Sequence, residues 1–125
     1  MVLALAVAAF ATGGMQGVAN AEQGQRVATV HSPGEINGSR EVAYLAGTCA
    51  DRVSSLEVVL RQGSNALTRP TACNNGHWQQ GFYQRSTEDH PFAWQDGQAS
   101  VILRAYDNGD NFIDGYETTV QLQAG

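Results

Sequence analysis

The chain has 125 residues, 42% hydrophobic and 15% charged, a composition suited to one folded domain around a single core. Its formal net charge is −5, with seven arginines, no lysine and no basic run anywhere. That excludes a surface built to read nucleic-acid phosphates and charge-driven docking on an anionic membrane.

In chain order, residues 2–11 come first, an apolar run too short to span a bilayer comfortably. A more polar stretch from Thr12 to Gln16 follows, and Ala19-Asn20-Ala21 fits the small-x-small pattern of a signal-peptidase site. Residues 1–21 are therefore expected to be a signal peptide, with residues 22–125 as the mature domain and no membrane span within it. The usual positively charged start is missing and the first basic residue is Arg26, so the true start is expected upstream of Met1. The alternatives are a retained hydrophobic helix or a buried N-terminal element of a larger assembly. No cysteine follows the apolar run, which argues against a lipoprotein anchor.

Val27 to Val30 reads as a first strand, ended by Ser32-Pro33-Gly34, and Ile36-Asn37-Gly38 is a further turn signal. Val42 to Cys49 is a clear strand, apolar enough to be buried on both faces for part of its length. Leu56, Val58 and Leu60 share one face of the next strand, with Glu57 and Arg61 on the other. Gln62-Gly63-Ser64-Asn65 turns the chain back. Leu67 to Cys73 contains Pro70 and is expected at an edge or with a bulge. Trp78 to Tyr83 follows the Asn74-Asn75-Gly76 turn, and residues 85–95 read as a long crossing loop. Asp96-Gly97 supplies the positive φ of a tight reversal. Val101, Leu103 and Ala105 then alternate with Ser100 and Arg104 until Asp107-Asn108-Gly109-Asp110-Asn111 stops the strand. Tyr116 to Gln123 closes the domain, with Thr118, Val120 and Leu122 on one face. Turns about every eight to twelve residues, with no helical period, predict an all-β sandwich of about seven strands with Greek-key connections.

An exported domain makes the two cysteines readable. Cys49 and Cys73 are an even pair, each at the end of a strand-like run, and a disulfide is expected between them. A metal or redox pair fits poorly, because residues 24 apart lack the close spacing of a zinc knuckle or a Cys-x-x-Cys centre.

Several of these pieces, in order, resemble the bacterial immunoglobulin-like modules found in tandem in secreted and surface-attached proteins. Leu45-Ala46-Gly47-Thr48 is similar to the end of that family's second strand, and Ser55-Leu56-Glu57-Val58-Val59-Leu60 to its third. Gly76-His77-Trp78 and Asp96-Gly97 follow in the family's order, although Gly109 stands one place early in the closing acidic turn. The resemblance covers about Thr29 to Leu122. It implies an immunoglobulin-like sandwich with Trp78 in its core, and it adds some weight to calcium in an end loop.

No constellation of residues demands a reaction, and no enzymatic activity is expected. His31, His77 and His90 are isolated from one another and lack metal-ligand spacing. No Gly-x-Ser-x-Gly elbow exists. Glu88-Asp89-His90 sets carboxylates beside an imidazole, but neighbours on an extended chain point opposite ways. Asp107, Asp110, Asn111 and Asp114 could offer calcium four oxygen ligands within eight residues. Against an EF-hand, Phe112 and Thr118 occupy the positions of its glycine and closing glutamate. The expectation is no cofactor and a self-capped turn, with calcium as the alternative. Phe92 and Trp94, with Phe82 and Tyr83, could form an exposed protein-binding patch or fold back to plug the end of the sandwich.

These features lead to the expectation of an exported, non-catalytic binding, adhesive or structural module of the bacterial cell envelope. It would be secreted, periplasmic or at the cell surface, with a protein or cell-surface partner or a second copy of itself. The alternatives are a subunit of an extracellular filament that keeps its N-terminal segment, and a periplasmic inhibitor or chaperone-like domain.

Overall fold

Period-two burial organises the long strands of this computed structural model, which describes residues 26–83 and 93–125. The expected signal segment 1–21, the Glu88-Asp89-His90 cluster and Phe92 lie outside the described residues. Strand β3 (Val42–Cys49) buries Ala43, Leu45, Gly47 and Cys49, while Tyr44 faces solvent. The two-sided burial expected for part of β3 is thus corrected: its other face is half-buried at Val42, Ala46 and Thr48 and exposed at Tyr44. In β4 (Ser55–Gln62), Leu56, Val58 and Leu60 point inward as expected, and Val59 on the opposite face is also largely covered. β7 (Gly97–Tyr106) contributes Ala99, Val101, Leu103 and Ala105, and β8 (Phe112–Ala124) contributes Val120 and Leu122.

Eight strands form, and no helix is present among the described residues. One layer is built on β3, which pairs antiparallel with β1 (Ala28–Val30) on one edge and β6 (His77–Tyr83) on the other. The second layer runs β5 (Asn65–Ala72), β4, β7, β8, all antiparallel. The chain passes from β3 to the β4–β5 hairpin, back to β6, and over again to β7–β8. That path is the Greek-key sandwich predicted from the turn spacing.

The additional strand is β2 (Gly34–Ile36), which falls where the sequence predicted only turns. It pairs antiparallel with β3 and parallel with β8, so it belongs to both layers. Three residues cannot display a pattern of alternation, and β2 owes its conformation to partners on both sides. The cis Ser32–Pro33 peptide lies in the short link between β1 and β2.

β5 forms an edge as predicted, but Pro70 sits in an unbroken register opposite Glu57 and needs no bulge. An edge strand tolerates proline because one side of its backbone has no ladder partner. Across the seam from β5, the Arg69 guanidinium donates to the Tyr83 carbonyl at 3.1 Å and the Thr71 hydroxyl to the Gln79 carbonyl at 3.1 Å. These bonds occupy carbonyls on the open edge of β6, which would otherwise invite another strand.

Two further devices close the sandwich. At one end, Cys49 and Cys73 are joined by the expected disulfide, linking the end of β3 to the residue after β5. In the first layer, Trp78 is 2% exposed and its indole N–H donates to the Thr29 carbonyl at 2.8 Å. Gly47 lies between these groups, paired with Val30 on β1 and Trp78 on β6. A Cβ there would collide with the Thr29 carbonyl oxygen and come within 2.6 Å of Trp78 Nε1.

Truncating Trp78 should therefore be costly. Trp78→Ala is expected to lose about 3–5 kcal/mol of stability in denaturant unfolding, the usual range for a core aromatic. Gly47→Ala should also destabilise, since backbone rather than a flexible side chain must move. Unchanged unfolding midpoints in both variants would contradict the Trp78–Gly47–Thr29 junction.

Candidate functional site

The polar side chains divide into those that build turns and those left facing solvent. In the β2–β3 turn, the Asn37 side-chain oxygen accepts from the backbone N–H groups of Glu41 and Val42 and from the Ser39 hydroxyl. Arg40 takes the left-handed conformation there (φ 63°) and pairs with Asp96 at 2.9 Å. Asp96 also accepts from the Ala124 N–H at 2.8 Å, so one carboxylate ties the start of β7 to the end of β8. Its bond from Arg40, followed by that from Ala124, holds the Asp96 carboxyl below its ordinary pKa of 3.8.

The four calcium-ligand candidates share the β7–β8 hairpin, where each is placed by the turn. Asp107 Oδ1 accepts from the Gly109 N–H at 2.9 Å and the Asn111 N–H at 3.0 Å, an Asx-type cap. The Asn111 amide donates back to both Asp107 oxygens, and Asp110 supplies the left-handed residue (φ 63°). Asp114 pairs with Arg26, whose guanidinium also lies 4.1 Å from the centre of the Tyr116 ring. Among the described residues, no three His, Cys, Asp or Glu side chains are grouped as a metal would require. The bonds from Asn111 and Gly109 depress the Asp107 pKa below 3.8. The hairpin is therefore built as a self-capped turn.

Of the two alternatives for Trp94, the plug is the one that forms. Considered as an exposed protein-binding residue, it is instead fully buried, and its indole N–H donates to the Phe82 carbonyl at 2.9 Å. Its backbone N–H bonds to the Arg40 carbonyl, fastening the segment before β7 onto the β2–β3 turn. Trp94 and Phe82 thus plug the end of the sandwich opposite the disulfide. An indole that is both desolvated and hydrogen-bonded is not offered to a partner. Tyr83, also considered for that patch, is 45% exposed on the outer face of β6.

The outer face of the β1–β3–β6 layer carries a different feature. A groove of about 560 Å³ runs along it, bounded by His31, Pro33, Glu35, Tyr44, Gln79 and Gly81. Tyr44 on β3 stands opposite Gly81 on β6 and opposite Glu35 on β2. A Cβ on Gly81 would lie 3.3 Å from Tyr44 Cε1 and 3.5 Å from Cδ1, so the ring rests against the bare backbone of β6. Aromatic cover of a cross-strand glycine is a known stabilising device. It still leaves Tyr44 49% exposed. Among the described residues, the side chains of His31, Glu35, Tyr44 and Gln79 make no hydrogen bond.

No protein-family profile, curated protein or solved structure matches the chain.

The sequence reading missed this groove. Tyr44 was visible as the outward residue between the inward Ala43 and Leu45, but its neighbours come from β1, β2 and β6. The alignment of β2 against β3 could not be read from three residues containing a turn-like glycine. The one available signal was the pairing of an outward tyrosine with a glycine on a partner strand.

The depressed carboxyl groups set the acid behaviour. A folded pKa below the unfolded one contributes stability above the ordinary value of 3.8, lost as pH falls through the lowered folded value. The melting temperature should therefore decline below about pH 4. Asp107→Asn, which keeps the side-chain oxygen acceptor but removes its titration, should decline less steeply. Identical acid slopes for the two proteins would contradict the assigned role of Asp107.

Proposed function

We propose that this chain is an exported, non-catalytic binding module of the bacterial cell envelope, related to the immunoglobulin-like modules whose strand motifs it resembles. The observation that carries this proposal is the Cys49–Cys73 disulfide. A disulfide in a small all-β domain fits an oxidising compartment such as the periplasm or the cell exterior. The apolar run and the Ala19-Asn20-Ala21 pattern at the start of the sequence are consistent with export.

The chemistry of the described residues supports binding over catalysis. Asp96, Asp107, Asp114 and Glu57 all have structural partners, Glu57 through Arg104 at 3.0 Å. His31 and His77 lie at separate places on the first layer, and neither belongs to a cluster of candidate metal ligands. Polar side chains are left open to solvent in the concavity around Tyr44, and such a groove can hold a ligand without transforming it. No described helix is long and apolar enough to cross a membrane.

Cell fractionation and mass analysis of the natural product test this proposal together. The expected result is protein in the periplasm, medium or outer surface, beginning at Glu22, with no free thiol before reduction. Protein confined to the cytoplasm with two titratable thiols would contradict it.

A further inference from the structure

We propose that the groove around Tyr44 binds a neutral glycan chain, with the tyrosine ring as the platform on which one sugar stacks. This rests on the binding-module function above and names its ligand class. The ring is held against Gly81 and β6, so its orientation is fixed before any ligand arrives. Preorganisation lowers the entropy cost of binding. A pyranose presents the complementary surface: an apolar C–H face to lie on the ring, and a rim of hydroxyls at its edge. An aromatic side chain with an apolar body and a polar tip suits such a half-wet contact.

The rim of the groove supplies the rest. The Glu35 carboxylate accepts hydrogen bonds, the Gln79 amide both donates and accepts, and the His31 imidazole offers its ring nitrogens. None of these side chains makes a hydrogen bond to the described residues. Elsewhere the amides and carboxylates of Asn37, Gln62, Asp96 and Asp107 are taken up by backbone groups. The groove therefore gathers unused donors and acceptors around one open aromatic ring.

Charge selects among candidate ligands. No arginine lines the groove among the described residues, and the chain has no lysine. A phosphorylated or uronic-acid ligand would meet the Glu35 carboxylate with no arginine or lysine among the described lining residues to offset it. A groove that is shallow and open along the sheet, rather than a closed pocket, accommodates an internal stretch of a polymer. The β3–β6 ladder beneath it, seven residue pairs from Val42↔Tyr83 to Thr48↔His77, makes the floor rigid.

Two-dimensional NMR titration of the labelled domain with soluble oligomers of N-acetylglucosamine, glucose and mannose tests this. At least one sugar at about 10 mM should shift amide signals of residues 31–35, 44–46 and 79–81, with a dissociation constant of about 0.1–1 mM. Tyr44→Ala and Gln79→Ala should each weaken that binding, the former at least about tenfold. Tyr83→Ala, on the same face outside the groove, should leave it unchanged. Gln79 is exposed on β6 and outside the core, so its loss of binding is readable even if Tyr44→Ala is destabilised. No shift with any of the sugars would overturn the glycan assignment, as would shifts confined to the Tyr106–Phe112 region or binding unaffected by both groove variants. Fractionation reads export independently, so failure here leaves the exported module standing with a different ligand. A proline-rich peptide that shifts the groove signals when no sugar does would likewise overturn it.

Discussion

The junction of Trp78, Gly47 and the Thr29 carbonyl is the contact on which the first layer depends. β1 and β6 lie on opposite edges of β3 and cannot exchange backbone hydrogen bonds with each other. Trp78 reaches over the central strand and bonds to β1 directly, at 2.8 Å, because Gly47 has no side chain in the way. Three strands are thereby held by one indole. Burial of a large aromatic supplies the hydrophobic term, and the satisfied N–H removes the penalty that a buried polar group would carry. Trp94 repeats this chemistry at one end, bonded to Phe82 on β6 while packed in the shared core. Each tryptophan therefore fastens the chain to a backbone carbonyl from inside the core.

This arrangement explains where function can reside. The core-facing side of each layer is committed to packing, and the ends are closed by the disulfide, the Trp94 plug and self-capped turns. Arg69 and Thr71 cover the seam between β5 and β6. Outside a concavity of about 530 Å³ beside Asp51, Arg52 and Asn108 at the disulfide end, what remains is the outward face of the strands, where side chains are held in a regular lattice by the ladder beneath. On the second layer that lattice is partly self-satisfied: Arg104 bonds Glu57, and Phe112 packs edge-on to Tyr106 with ring centres 5.9 Å apart. On the first layer, Tyr44 and its neighbours are open.

Much of the fold was legible because long strands with one buried face write their periodicity directly. The inward sets Leu56-Val58-Leu60 and Val101-Leu103-Ala105 follow from alternation alone. The Cys49–Cys73 pair followed from compartment and parity, and the core position of Trp78 from the family resemblance. Legibility failed where conformation is imposed from a distance. β2 is a strand only because β3 and β8 flank it, and local sequence at Ser32-Pro33-Gly34 says turn. Trp94 sits in a segment with no periodic pattern, so nothing local distinguishes an exposed anchor from a plug. The groove was invisible for the same reason: Glu35, Tyr44 and Gln79 are distant in sequence and meet only through the registers of β2 and β6 against β3.

The central physical claim is that both tryptophans are integral to one cooperative sandwich rather than to separately opening layers. Native-state hydrogen exchange of the two indole N–H protons tests it most directly. Trp78 and Trp94 are both buried and bonded to backbone carbonyls, so both protons should exchange only through global unfolding, with the same free energy and denaturant dependence. Exchange of the Trp78 proton at a rate near that of a free indole, while core amides of β4 and β7 stay protected, would contradict the account.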